Sequence, residues 1–247
     1  VRRILGILLA AGTATAQTQN LSFVTCPVVR DTKTTPCWLA EYKGEMYYLG
    51  VQGGVAQDFY PPQLNHEVLV EGVVAEGPRI CGGIPLQPIK TSVILELNRA
   101  CNTILPAEDA IEPPGRAGGR GQGRGTPTNS WTRSEGPGDS TTFFDFDNDF
   151  LSLHSTRALQ QIADNFRQSQ ATAIQVTSHR GASKLSTGSV MVENARVATE
   201  RATKVRDILV GLGVPASAVK VQLINDAPQP DGINDPWSRK VVLSVKR

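Results

Sequence analysis

Residues 190–212, VMVENARVATERATKVRDILVGL, decide the fold. Laid out at about 100° per residue, Val190, Val197, Ala198, Ala202, Val205, Ile208 and Leu209 form one stripe, while Arg196, Glu200, Thr203, Lys204, Arg206 and Asp207 form the other. The spacing predicts an amphipathic helix, ended by Gly211, Gly213 and Pro215. Asn194 and Arg201 fall in the middle of the apolar stripe. A guanidinium there needs a carboxylate, a carbonyl or an anionic ligand, because burying a charge unpaired is too costly.

The segments around this helix alternate strand and helix patterns. Phe144 and Phe146 alternate with Asp145 and Asp147 as on a half-buried strand. Ser155 is placed to cap a helix whose Leu159, Ile162, Ala163 and Phe166 recur at helical spacing. Residues 173–178 read as a second strand. Beyond the 190–212 helix, Val219, Val221 and Leu223 alternate, and so do Val241, Leu243 and Val245, with a loop rich in Asp, Pro and Asn between the two sets. Asp145, Asp147 and Asp149 have the spacing that opens a calcium loop, but Phe150 stands where that loop needs Gly and no Glu closes it, so no metal site is expected.

The series Asn194, Val197, Ala198, Arg201, Ala202, Val205 resembles the N-x-x-L-S-x-x-R-A-x-x-V helix of the OmpA-like C-terminal domain, and residues 144–149, FDFDND, resemble that domain's opening strand. The likeness spans about residues 141–247. It implies an α+β sandwich in the order β-α-β-α-β-β, with helices on one face of a mixed sheet. Many Gram-negative envelope proteins use this module to hold peptidoglycan non-covalently. By resemblance, Arg201 clamps a carboxylate of the diaminopimelate-containing stem peptide, Asn194 braces the adjoining loop, and Arg239, matching a basic residue just before the last strand, lies nearby. One position departs from the family. Its G-H-T-D-x-x-G loop is TSHRGAS here, residues 177–183, so Arg180 replaces the Asp that pairs with the ligand's ammonium. The loop then runs long, through residues 184–189, and the nearest carboxylate to follow is Glu193. Arg180 with Arg201 would favour a more anionic ligand, and a salt bridge from Arg201 to Asp145 or Asp147 is the rival reading.

At the other end, Arg2 and Arg3 precede an apolar run over residues 4–11 and the small residues Ala14, Thr15 and Ala16. This is the pattern of a secretory signal peptide, expected over residues 1–16. The run is too short for a membrane helix, and no later segment has the length or apolarity of one, so no transmembrane segment is expected after cleavage. The chain carries a formal +2; Arg2 and Arg3 supply both charges and residues 1–16 hold no acid, so the remainder is neutral. Nothing in that balance points to nucleic acid.

Residues 19–111 contain all four cysteines, Cys26, Cys37, Cys81 and Cys101. An even count in an exported chain predicts two disulfides, with three pairings open. The texture is β: residues 37–50 read as a hairpin about Lys43-Gly44, residues 66–76 as a strand, residues 80–89 as a bent strand, and residues 92–97 as a further strand or a short helix. A small all-β barrel or sandwich, OB-like or SH3-like, is the expected fold. Trp38, Tyr42, Tyr47, Tyr48, Phe59 and Tyr60 read as core more readily than as a binding face. His66-Glu67 reads as a surface pair. No G-x-S-x-G or H-E-x-x-H occurs and no cysteine is left over, so no catalytic residue and no cofactor is expected. Residues 112–140, dense in Gly, Pro and Ser with Arg116, Arg120 and Arg124, read as a flexible linker that lets the domains move almost independently. The expected function is that of a periplasmic protein, associated with the cell wall or outer membrane, that binds peptidoglycan and tethers an N-terminal domain offering a surface to an envelope protein. The alternative is an OmpA-like domain with a degenerate ligand site, acting as a protein-protein module in an envelope complex.

Overall fold

The computed structural model describes residues 19–51, 62–108 and 139–247, and the backbone alone of residues 132–136. The signal-peptide reading, Phe59, Tyr60 and most of the linker lie outside the described residues.

The N-terminal unit is one seven-stranded sheet. Its strands are β1 (Asn20–Thr25), β2 (Pro27–Arg30), β3 (Cys37–Tyr42), β4 (Glu45–Val51), β5 (His66–Val74), β6 (Ile84–Leu97) and β7 (Ile104–Leu105), in the order β1-β5-β6-β4-β3-β2-β7. The sheet is open, with β1 at one edge and β7 at the other, so of the expected barrel or sandwich the closed barrel is corrected. The β3–β4 hairpin turns at Lys43 and Gly44, both at positive φ (53° and 79°), the backbone of a tight turn that follows the strand twist. Residues 92–97 are strand: they finish the 14-residue β6, whose first part pairs with β4 and whose length pairs with β5. Two clusters fill the interior. Phe23, Trp38, Leu49, Val68, Val70, Leu86 and Ile89 belong to the larger, and Val28, Leu39 and Tyr48 surround Cys37 and Cys81 in the smaller. Trp38, Tyr47 and Tyr48 are therefore core, and Tyr42 stacks on Phe23 with ring centroids 4.4 Å apart. The disulfides are Cys26–Cys101 and Cys37–Cys81.

The C-terminal unit has β8 (Thr132–Gly136), β9 (Asp139–Phe143), α1 (Leu153–Gln168), β10 (Ala173–His179), β11 (Ala182–Lys184), β12 (Val190–Val192), α2 (Val197–Gly211), β13 (Val219–Ile224) and β14 (Lys240–Lys246). The mixed sheet runs β13-β10-β14-β9-β8, with β10 parallel to β13 and antiparallel to β14. The core joins Leu159, Ile162 and Ala163 of α1 and Val205 and Leu209 of α2 to Ile174, Val176, Val241 and Leu243 of the sheet. This is the expected β-α-β-α-β-β order with a preceding strand and one inserted hairpin, β11–β12.

Local boundaries differ from the sequence reading in four places. The opening strand ends at Phe143, so Phe144 and Phe146 are buried from a loop rather than from a strand. The cap of α1 is Ser152, whose Oγ accepts from the Ser155 N–H at 3.1 Å. Val190 belongs to β12, and α2 begins only at Val197. The second sheet also begins at Thr132, before the expected domain start.

The two units share a buried polar seam, which corrects the expectation of nearly independent motion. Arg239 pairs with Glu71 and Lys90 with Asp145. The β11–β12 loop docks on the edge strand β1, where Ser186 N–H donates to Ser22 O (2.6 Å) and Ser22 N–H to Ser186 Oγ (2.9 Å). Charges buried in pairs hold one geometry, because separating them leaves each uncompensated.

Gly83 tests the packing of the first sheet. A Cβ there would stand 2.6 Å from Tyr48 N and 2.8 Å from Tyr47 C, both backbone atoms of β4. Gly83→Ala is expected to lower stability by about 1–3 kcal/mol, read as a shifted urea midpoint at unchanged slope.

Candidate functional site

Arg201 enters the interior from the buried face of α2 and is fully buried. All five of its N–H donors are used. Nε donates to Asn148 O (2.8 Å), Nη1 to His179 O (3.2 Å) and Glu193 Oε2 (3.0 Å), and Nη2 to Asp145 O (3.0 Å) and Glu193 Oε1 (2.6 Å). The guanidinium also stands 4.8 Å from the Phe144 ring centroid. Glu193, equally buried, is just as complete: Oε1 accepts from Asp147 N–H (2.9 Å) and Oε2 from Gly181 N–H (2.7 Å), besides the fork from Arg201. Of the partners open to Arg201, carbonyls and a carboxylate take it, and the carboxylate is that of Glu193, not of Asp145 or Asp147. Arg201 is thus a brace for three loops, with no donor left for a ligand.

The surface above this pair is different. Arg180 is half-buried and its Nε donates to Glu193 O (2.5 Å), while Asn194 N–H donates to Asp147 Oδ1 (2.5 Å). Glu193 C=O and Asn194 N–H belong to one peptide unit and point to opposite sides of it. A guanidinium and a carboxylate therefore flank the same unit. Among the described residues, no partner holds the terminal nitrogens of Arg180 or the second oxygen of Asp147. Burial, above all, raises the Asp147 carboxyl from its ordinary value; Glu193 adds to this, and the Asn194 N–H, Arg201 and Arg180 oppose it. Asp147 also sits at φ 52°, the left-handed region that Asp tolerates better than most side chains.

Asn194 is exposed, and its Oδ1 accepts from Arg196 N–H (3.0 Å) at the start of α2, so it braces the helix entry rather than lining a pocket. Arg239 is fully buried: Nη1 donates to Glu71 Oε1 (3.1 Å) and Ser183 Oγ (2.7 Å), and Nη2 to Glu71 Oε2 (2.5 Å). Burial disfavours its charge, yet Glu71, Glu193 and Asp145 more than offset this, so its pKa is raised. Gly181 separates the two arginine clusters. A Cβ on it would lie 2.5 Å from Arg239 Cγ and 3.3 Å from Glu193 Oε2.

Asp145, Asp147 and Asp149 diverge, toward Lys90, Asn194 N–H and Lys204 respectively. Among the described residues, no group of three or more His, Cys, Asp or Glu side chains converges on a metal position. His66 and Glu67 do not pair; Nδ1 of the first lies 2.9 Å from Ile94 O and the second accepts from Asn98.

Sequence reasoning named Glu193 only as the nearest acid, and passed over Asp147 as half of a surface pair and Glu71, Ser183 and Lys90 as anchors. A signal for Glu71 was present, since it is the one charged member of the set Leu69, Glu71, Val73, Ala75.

Among curated proteins none matches the chain. Among solved structures, it is similar to the OmpA-like domain of FopA1 from Francisella tularensis (18% identity, 47% of this chain and 80% of that one, TM-score 0.34). It is also similar to the periplasmic domain of Helicobacter pylori MotB (15%, 47% and 80%, 0.35), and to the cell wall anchor of the T6SS from Pseudomonas aeruginosa (19%, 44% and 80%, 0.33). Residues 143–239 match the OmpA family, over the stretch that carries the loop, both helices and both buried arginines. The C-terminal domain of this chain is an OmpA-family domain.

Proposed function

We propose that this chain is a periplasmic envelope protein whose OmpA-family domain holds peptidoglycan through Arg180 and Asp147, with Arg201 as internal support, and so fixes the N-terminal unit to the wall. The observation that carries this reading is the opposed pair on the Glu193–Asn194 peptide unit. A diaminopimelate end group bears an ammonium and a carboxylate, and each pole needs a matching charge to replace its lost hydration. Arg180 supplies the cation and Asp147 the anion. The carboxylate has moved from the usual loop position to the loop after β9, and the cation outward from Arg201 to Arg180. Among the described residues no helix is long and apolar enough to cross a membrane. We assign the chain no catalytic role.

The competing reading, a protein-protein module, is favoured by the closure of both family arginines: Glu193 occupies Arg201, and Glu71 of the N-terminal unit occupies Arg239. On that reading the folded chain does not bind the wall.

The test is co-sedimentation of the full chain with purified diaminopimelate-type peptidoglycan. Arg180→Ala and Asp147→Asn are each expected to weaken binding by roughly tenfold or more, the worth of a charge-assisted hydrogen bond, with the circular dichroism unchanged. Failure of the folded wild-type chain to sediment selects the protein-protein reading, and binding that ignores both substitutions removes these residues from the site.

Binding should also depend on pH in a stated direction. Asp147 holds an ammonium only when ionised, and its carboxyl is raised. Wall affinity is therefore present above that raised pKa and lost as pH falls through it, beginning at a higher pH than an exposed Asp would give. In Asp147→Asn the residual binding should lack this acid limb.

A further inference from the structure

We propose that the N-terminal unit positions the wall-binding pair, with Lys90 and Glu71 each setting one half of it from behind. The inference rests on the Arg180–Asp147 reading above, and asks what holds those two residues in register.

The Asp147 half sits on the loop of residues 144–148, which is held from two sides. From the N-terminal unit, the Lys90 ammonium pairs with the Asp145 carboxylate, with side chains only 7% and 9% exposed. Ser92 Oγ accepts from Phe146 N–H at 2.9 Å. From the C-terminal unit, Arg201 holds Asp145 O and Asn148 O, and Glu193 holds Asp147 N–H. Asp147 lies between these anchors at a φ that few side chains adopt, so its direction is set by the residues on either side. With Lys90 gone, Asp145 is a buried carboxylate whose ion pair is lost, and the loop relieves it by moving outward. Asp147, two residues on, moves with it.

The Arg180 half is reached by a second route. Glu71, on β5, holds both ends of the Arg239 guanidinium, and Ser183 Oγ donates to the same carboxylate at 2.8 Å. The Arg239 side chain packs against Gly181 so closely that a Cβ on Gly181 would stand 2.5 Å from Cγ. Gly181 follows Arg180 directly in sequence, and its N–H is bonded to Glu193. A shift of Arg239 therefore pushes on the backbone that aims Arg180. Two strands of the N-terminal sheet thus reach the site from behind, β5 through Arg239 and Gly181 to the cation and β6 through Asp145 to the anion. Docking of the N-terminal unit and binding of the wall are then coupled, each favouring the other.

Full-length Lys90→Met and Glu71→Gln test this by two readouts. The first is wall affinity, expected to fall roughly five- to tenfold in each, the range of a modest coupling between sites. The second is hydrogen exchange without wall present: faster at Asp147 and Asn194 N–H in Lys90→Met, and faster at Gly181 N–H in Glu71→Gln. Lys90→Arg, which keeps the charge, should restore both. Ser92→Ala, which removes one hydrogen-bond acceptor and no charge, gives the same pattern more weakly and serves where Lys90→Met does not fold. Unchanged exchange at all three amides overturns the inference, as does unchanged affinity in variants whose exchange has risen. If the wild-type chain does not sediment, the functional reading falls, while the exchange result still decides whether the N-terminal unit holds these residues.

Discussion

The buried fork between Arg201 and Glu193 is the interaction from which the C-terminal architecture hangs. An arginine in the apolar stripe of α2 is tolerable only if every donor is matched, and here five donors meet five acceptors. Those acceptors come from the loop after β9, from the end of β10 and from the segment before α2. Three chain segments far apart in sequence are thereby fixed to one side chain. Removing one partner of such a pair typically costs about 3–5 kcal/mol, because the survivor is left charged in a dry interior. The pair is thus less a source of net stability than a constraint that permits one loop arrangement.

The same logic extends across the seam between the two units. Glu71 with Arg239, and Lys90 with Asp145, are buried charge pairs formed between the two units. A hydrophobic interface tolerates small slides, since its attraction has no direction. A seam of forked ion pairs does not, since the hydrogen bonds have one register. The inserted β11–β12 hairpin serves this register: Ser183 completes the Glu71 cluster, and Ser186 pairs with the edge of β1. The long loop that departs from the family pattern therefore docks on the N-terminal unit.

Much of this was legible in the sequence. The α2 stripe identified the buried face from Val197 to Leu209, though Asn194, placed on the same stripe, is exposed, and the need of Arg201 for a carboxylate, a carbonyl or an anionic ligand followed from its position alone. The β3–β4 hairpin was legible for a similar reason: Lys43-Gly44 gives the turn locally. What misled was local pattern that another geometry also satisfies. Phe144 and Phe146 alternate as on a strand, yet a loop wrapped over Arg201 and Arg239 buries both. Ser152 and Ser155 each fit a cap, and only the backbone decides. Val190 continues the helical spacing but lies on the far side of Glu193, where the chain must straighten to deliver that carboxylate. The pairing across the seam was not legible: Glu71 stands out as the one charge in its alternating set, yet nothing near it or near Lys90 names a partner so far along the chain.

The closure of Arg201 determines where binding energy can still be gained. A ligand carboxylate could reach that guanidinium only by displacing Glu193, which is covalently present, preorganised by four hydrogen bonds and already desolvated. The exchange would trade equal contacts and add the cost of exposing or reburying Glu193. One layer outward the balance changes. Arg180 spends only its Nε, Asp147 spends one oxygen, and both remain near water, so a zwitterion there adds hydrogen bonds without breaking any. On the wall-binding proposal, the sealed inner pair keeps its shape as a platform, and recognition falls to the charges that the platform presents.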